Sequence, residues 1–217
     1  MIRTILLFCF VINILNASTA LSFTEKGQQS IQEEVQKLSY MVQQSPEVNK
    51  DSLPVPYNYL LLQPLMTKGI ETYYQRIPLI RTLYAARNTS DNTYFRAILM
   101  FVDKRKDRNN PQWAQKKNET MIVELAFITI NFNELPTKLI NDVLNTNIPF
   151  GTLLSDNQVN VVSTGRSYFA IKCNELLASL THCTLNSTLY GRKNTLIKAD
   201  NKKWLAQVVE ILPGFVN

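Results

Sequence analysis

Thr93-Tyr94-Phe95-Arg96-Ala97-Ile98-Leu99-Met100-Phe101-Val102-Asp103 is the stretch that decides the fold. Its even positions are Tyr94, Arg96, Ile98, Met100 and Val102, and its odd positions are Thr93, Phe95, Ala97, Leu99 and Phe101. Both sets are apolar, which predicts a strand covered on both faces at the centre of a sheet. Arg96 breaks the pattern. A buried guanidinium without a partner is costly. Its planar fork suits a carboxylate, supplied either by the protein or by a ligand.

Two acids show the same oddity further along. Glu124 falls within Ile122, Glu124, Ala126, Ile128 and Ile130, and Glu210 within Trp204, Ala206, Val208, Glu210 and Leu212. Either could pair with Arg96, or be a carboxyl of raised pKa lining a cavity. Strand order, which would choose between them, is not visible in sequence.

Around this centre, strands are expected over 76–86, 120–131 and 158–171, and a closing hairpin over 188–198 and 203–212. Helices are expected over 24–43, with an apolar stripe of Ile31, Val35, Leu38 and Met41, over part of 57–74, and over 135–144. Residues 104–119 read as a polar loop in which Lys104-Arg105-Lys106-Asp107-Arg108 is solvated. Strands outnumber helices and follow one another directly. The fold class is α+β: an antiparallel sheet with helices packed on it.

The chain has 217 residues, 45% hydrophobic and 18% charged, which excludes disorder and collagen-like repeats. Arg3, the apolar run 5–15 and the small residues Ala17-Ser18-Thr19-Ala20 form a secretory signal pattern. Residues 1–20 are therefore expected to be a signal peptide, 21–56 a helix and linker, and 57–217 the main domain. The protein is expected to be exported and monomeric, with no membrane association after cleavage. Loss of Arg3 takes the net charge from +6 to +5. That balance suits anionic small molecules or a polyanion; no nucleic-acid-binding pattern is present, and nucleic acid is not an expected partner.

Cys173 and Cys183 remain in the mature chain. An even pair in an exported protein suggests one disulfide. Ten positions of continuous helix, however, would span about 15 Å, so the bond requires the segment to bend. The question stays open. Asn88, Asn118 and Asn186 begin glycosylation sequons. His182 is the single histidine, which leaves Ser-His-Asp and zinc constellations little to work with. No metal site is expected, and Gly165-Arg166-Ser167 is not a phosphate loop.

Five blocks in order carry a family resemblance: Leu60-Leu61-Leu62-Gln63-Pro64-Leu65-Met66-Thr67-Lys68, Tyr94 to Met100, Ile148-Pro149-Phe150-Gly151-Thr152-Leu153-Leu154, Leu189-Tyr190-Gly191-Arg192-Lys193 and Val209-Glu210-Ile211-Leu212-Pro213. Together they resemble the chorismate pyruvate-lyases over about residues 57–214. The resemblance implies a sheet of about six antiparallel strands, an internal ligand cavity, and cofactor-free conversion of chorismate to 4-hydroxybenzoate and pyruvate.

By that resemblance Arg96 would grip the ring carboxylate and Glu210 would face the opposite end of the ring, both as catalytic residues. Met66 would cover the ring, the backbone near Phe150 and Gly151 would add a hydrogen bond, and Arg192 would contact substrate. Several features depart from the family, among them insertions at about 104–119 and 168–187 and, largest of all, the leader. Glu210 stands three positions before Pro213 where the family has four, so a bulge would be needed to restore its facing. The family's arginine in the strand after the 104–119 loop is replaced near Ala126-Phe127, and Glu124 adds an acid that would occupy the Arg96 grip. The same fold also resembles the effector-binding domains of some transcription regulators. The alternative function is thus a non-catalytic binding module for a small aromatic carboxylate or a protein partner.

Overall fold

The computed structural model describes residues 30–214. Contacts divide the chain into residues 1–38 and 39–217; the sheet and the site lie wholly in the second unit. A helix, α1, runs over 30–44. The expected signal peptide and residues 24–29 of the expected first helix fall outside the described residues.

After α1 come β1 (Glu47–Val48), α2 (Tyr57–Leu60), α3 (Met66–Tyr74), β2 (Leu79–Asn88), β3 (Thr93–Asp103), α4 (Pro111–Lys116) and β4 (Thr120–Asn131). They are followed by α5 (Thr137–Asn145), α6 (Phe150–Asp156), β5 (Val161–Lys172), α7 (Glu175–Thr181), β6 (Thr188–Lys198) and β7 (Trp204–Leu212). The strands form one antiparallel sheet in the order β1-β5-β6-β7-β4-β3-β2. The fold is α+β, as the sequence indicates. The seventh strand is the two-residue β1, which pairs with β5 inside the stretch expected to be linker.

β3 and β4 begin and end where the sequence pattern places them, because both are covered on both faces over nearly their whole length. The edges differ. Arg76, expected to open β2, is 6% exposed and donates from Nη1 to the carbonyl of Asp103 at 2.9 Å. The loop 104–119 contains a helix, α4. Asn110 caps it by accepting from the Trp113 N–H, and Pro111 occupies its first turn. Nor is Arg108 merely solvated there. It pairs with the buried Asp103 at 2.6 Å and with Glu119 at 2.7 Å, and lies over the Trp113 ring at 4.0 Å.

The open question of the cysteines is settled by a short helix. α7 occupies only 175–181, and His182 ends it in the left-handed region at φ 60°. Cys173 and Cys183 flank it with Cα atoms 6.2 Å apart and are joined in a disulfide. Asn88, Asn118 and Asn186 are all exposed. Among the described residues, no helix is long and apolar enough to cross a membrane.

Both helix pairs that form the core cover one face of the sheet. Tyr57, Leu60, Leu61, Met66 and Ile70, from α2 to α3, pack on Ile98, Met100, Ala126 and Leu212. Leu139, Val143, Phe150, Leu153 and Leu154, from α5 and α6, pack on Ile128, Ile130, Ala206 and Val208. Gly151 lets α6 close on α3, since a Cβ there would stand 2.9 Å from Thr67 Oγ1.

Across the sheet, Gly191 permits a closer approach still. A Cβ would collide with the backbone oxygen of Glu210 and with the ring of Phe169. Gly191→Ala is expected to cost about 3 kcal/mol, because backbone in a paired strand cannot yield as a side chain does. Urea denaturation checks this; a loss under about 1 kcal/mol would show that β6 and β7 can separate there.

Candidate functional site

The two helix pairs leave a cavity of about 50 Å³ between them, over the middle of the sheet. As it stands it holds roughly one or two water molecules. Arg96, Glu210, Met66, Phe150, Gly151 and Arg192 all line it, with Glu124, Asn194 and an apolar surround that includes Ile98, Met100, Ile128 and Val208. All six residues singled out from sequence thus come together, although they are spread over 145 positions, from Met66 to Glu210.

Register explains the convergence. Arg96 pairs with Ile128, Ile128 with Val208, and Val208 with Asn194. In the row two residues on, Ile98 pairs with Ala126, Ala126 with Glu210, and Glu210 with Arg192. Side chains alternate faces along a strand, so both rows present theirs to the cavity. The β4–β7 register is regular through Glu210, from Ile130 to Leu125. Glu210 therefore reaches the cavity without the bulge that its spacing from Pro213 suggested. A bulge does occur in β4 beside Glu124: Met100 pairs with Glu124 and Phe101 with Ile122.

The charges divide unevenly. Arg192 is 1% exposed; its Nε donates to Glu210 in a close ion pair, and its Nη1 donates to the carbonyls of Leu61, at 2.9 Å, and of Gln63. Burial works against its charge, but Glu210 and then Glu124 outweigh that and raise its pKa. Arg96 has no such company. It is 1% exposed, its Nη1 lies 3.5 Å from the Val143 carbonyl, and its Nε has no partner. Burial pulls its pKa down to about 10. Neither Glu124 nor Glu210 forms an ion pair with it, so the expected protein partner does not exist among the described residues.

Glu124 is 2% exposed and its Oε2 has no hydrogen-bond partner. Burial, then the charge and hydrogen bond of Glu210, push its carboxyl well above the usual carboxylate range, and Arg192 only partly offsets them. The folded protein therefore keeps a proton there that the unfolded chain loses near pH 4.3 or so. Between those values the folded state binds more protons, so stability falls as pH rises. Glu124→Gln should flatten that fall, read as unfolding midpoints of both proteins from pH 4 to 8 or so. Parallel curves would mean that Glu124 is ionised in the folded state.

Two further lining residues that carry an unpartnered buried polar atom are absent from the six that the sequence singles out. Glu124 was noticed as misplaced but not assigned. Asn194 was missed; it is 5% exposed, its Nδ2 donates to Ser163 Oγ, and its Oδ1 is unpartnered. The alternation Arg192, Asn194, Leu196 was the available signal. Among the described residues no cluster of histidine, cysteine and acidic groups could hold a metal. A broader open groove bordered by Glu134, Gln158, Lys198 and Asp200 contains none of the residues singled out.

No family model and no curated protein matches the chain. Solved structures with a similar course of backbone include a gene product of Staphylococcus aureus subsp. aureus N315, with 13% identity, covering 62% of this chain and 82% of that one at a TM-score of 0.45. The effector domain of PhnF from Mycobacterium smegmatis has 9% identity and covers 70% and 92%, at 0.46. A GntR-family transcriptional regulator from Enterococcus faecalis V583 has 13% identity and covers 64% and 96%, at 0.41. These likenesses assign the chain no ligand and no activity.

Proposed function

We propose that this protein binds a small organic carboxylate in the cavity, with Arg96 as its grip. The observation that carries the reading is the unpaired Arg96 guanidinium, buried and lining a space bounded by apolar side chains. A ligand carboxylate would accept two hydrogen bonds from its fork and return the charge that folding leaves unbalanced. Met66, from α3, and Phe150, from α6, would cover an aromatic or aliphatic body. The cavity must widen to admit one, and the packing of α6 on α3 at Gly151 and Thr67 is where it would open. The Cys173–Cys183 disulfide supports export, since cytosolic thiols are kept reduced.

The second reading is turnover of chorismate. The convergence of Arg96, Glu210, Met66 and Phe150 favours it. Aromatisation would drive the elimination, leaving the protein to orient the substrate and exclude water. Against it, Glu210 is already engaged by Arg192, and Glu124 stands where a second ligand carboxylate would need a cation.

One experiment separates the readings. The protein is titrated with benzoate and 4-hydroxybenzoate, then incubated with chorismate while pyruvate is followed. Saturable monocarboxylate binding without pyruvate supports the binding module. Pyruvate formation installs the lyase, and no binding of any monocarboxylate overturns the carboxylate reading.

A further inference from the structure

Arg96 is not the only unbalanced group in the cavity. Four ionisable side chains line it: Arg96 from β3, Glu124 from β4, Arg192 from β6 and Glu210 from β7. The covering residues Leu65, Met66, Thr67, Phe150 and Gly151 contribute none. Arg192 and Glu210 satisfy each other, and the Nη1 of Arg192 is turned to main-chain carbonyls. What remains is a cation without an acid, Arg96, and a buried carboxyl, Glu124, which shares a hydrogen bond with Glu210 but leaves its Oε2 without a partner. Their positions are four residues apart along the sheet, Arg96 pairing with Ile128 and Glu124 with Met100. The Cα atoms are thus roughly 13 Å apart along the strands, with both side chains entering the same space.

The unpartnered atoms repeat this division. The guanidinium Nε of Arg96 is a donor, whereas Oε2 of Glu124 and Oδ1 of Asn194 are acceptors. We infer that the cavity is built for a zwitterion, an amino carboxylate whose carboxylate meets Arg96 and whose ammonium group meets Glu124. Such a ligand closes the charge balance once Glu124 gives up its proton to solvent, with ligand carboxylate on Arg96, Glu210 on Arg192, and the Glu124 carboxylate on the ligand ammonium. A dicarboxylate would place its second charge beside Glu210 and Glu124. The carboxylate half of this inference rests on the function proposed above; the ammonium half does not.

Titration calorimetry with straight-chain ω-amino carboxylates of three to six carbons tests it, against the fatty acids and α,ω-dicarboxylates of the same lengths. At least one amino carboxylate should bind about 10-fold or more tighter than its matching fatty acid, the scale of one charge-assisted hydrogen bond. The dicarboxylates should bind weakest. Glu124→Gln removes the ionisable oxygen and should bring amino carboxylate and fatty acid to within about 2-fold of each other. Glu124→Met gives the same reading should the glutamine variant not fold.

Equal affinity of amino carboxylate and fatty acid in the native protein would overturn the inference, as would a preference that survives removal of Glu124. Fatty-acid binding that persists in Arg96→Met would overturn the carboxylate reading instead. Binding by neither class would overturn both.

Discussion

Replacing Arg96 by methionine should lower carboxylate affinity by more than about 100-fold while leaving the ligand-free protein at least as stable as before. Most buried arginines would not behave this way. Removing one partner of a buried ion pair leaves the other charge stranded. Arg96 strands nothing, because among the described residues no acid pairs with it and its one hydrogen bond, to the Val143 carbonyl, is 3.5 Å long. Burial that draws its pKa down to about 10 opposes folding by roughly 3 kcal/mol. Methionine keeps most of the volume and none of the charge.

The pH dependence gives an independent check. In the folded state Arg96 releases its proton at lower pH than in the unfolded chain. The unfolded state therefore binds more protons above about pH 10, and native stability gains there as pH rises. That gain should vanish in Arg96→Met. Urea denaturation of the two ligand-free proteins reads the stability change. A loss above about 2 kcal/mol would show that Arg96 is held structurally and that its grip on a ligand is incidental.

Arg192→Met should do the opposite and cost about 3–5 kcal/mol. Arg192 lies at the same depth as Arg96, yet every contact differs. Its loss would leave Glu210, 7% exposed, beside Glu124 with no cation, would take the Arg192 donor from the Leu61 carbonyl, and would leave the Gln63 carbonyl to Arg166 alone. Those carbonyls belong to the segment between α2 and α3, so the cover of the cavity would loosen with the charge. Pairing Arg192→Met with Glu210→Leu should recover part of the loss, because the stranded acid goes too. Denaturation of the single and double variants decides this. A single-variant loss below about 1 kcal/mol would mean that the pair contributes nothing and that Arg192 is available to a ligand.

The two arginines show where reading the sequence stops. Each is a charge in a strand; Arg96 stands out by the apolar pattern around it, whereas Arg192 enters only through the family resemblance of its block. Nothing local distinguishes the cation that the protein neutralises from the one it leaves open. The difference is made by strand order. Placing β7 between β6 and β4 sets Glu210 against Arg192 and leaves Arg96 on β3, with Ile128 and Val208 across from it. Glu124 follows the same logic: its misplacement was legible, but its company was not.

Local pattern did determine a good deal. The boundaries of β3 and β4, the antiparallel α+β class and the misplaced charges Arg96, Glu124 and Glu210 follow from apolar alternation, since periodicity is a property of neighbours in the chain, whereas Met66, Phe150, Gly151 and Arg192 came from the family resemblance. It failed where a short element depended on its ends, as in α4, whose Asn110 cap and Pro111 were present but whose six residues carry too little apolar pattern. It left the cysteines undecided because a helix of ten residues and one of seven look alike until His182 turns left-handed. Which charges meet, which stay unmatched, and how little room remains between them were decided only by tertiary structure, because those are distances between strands far apart in sequence, and electrostatic energy depends on distance and burial rather than on order along the chain.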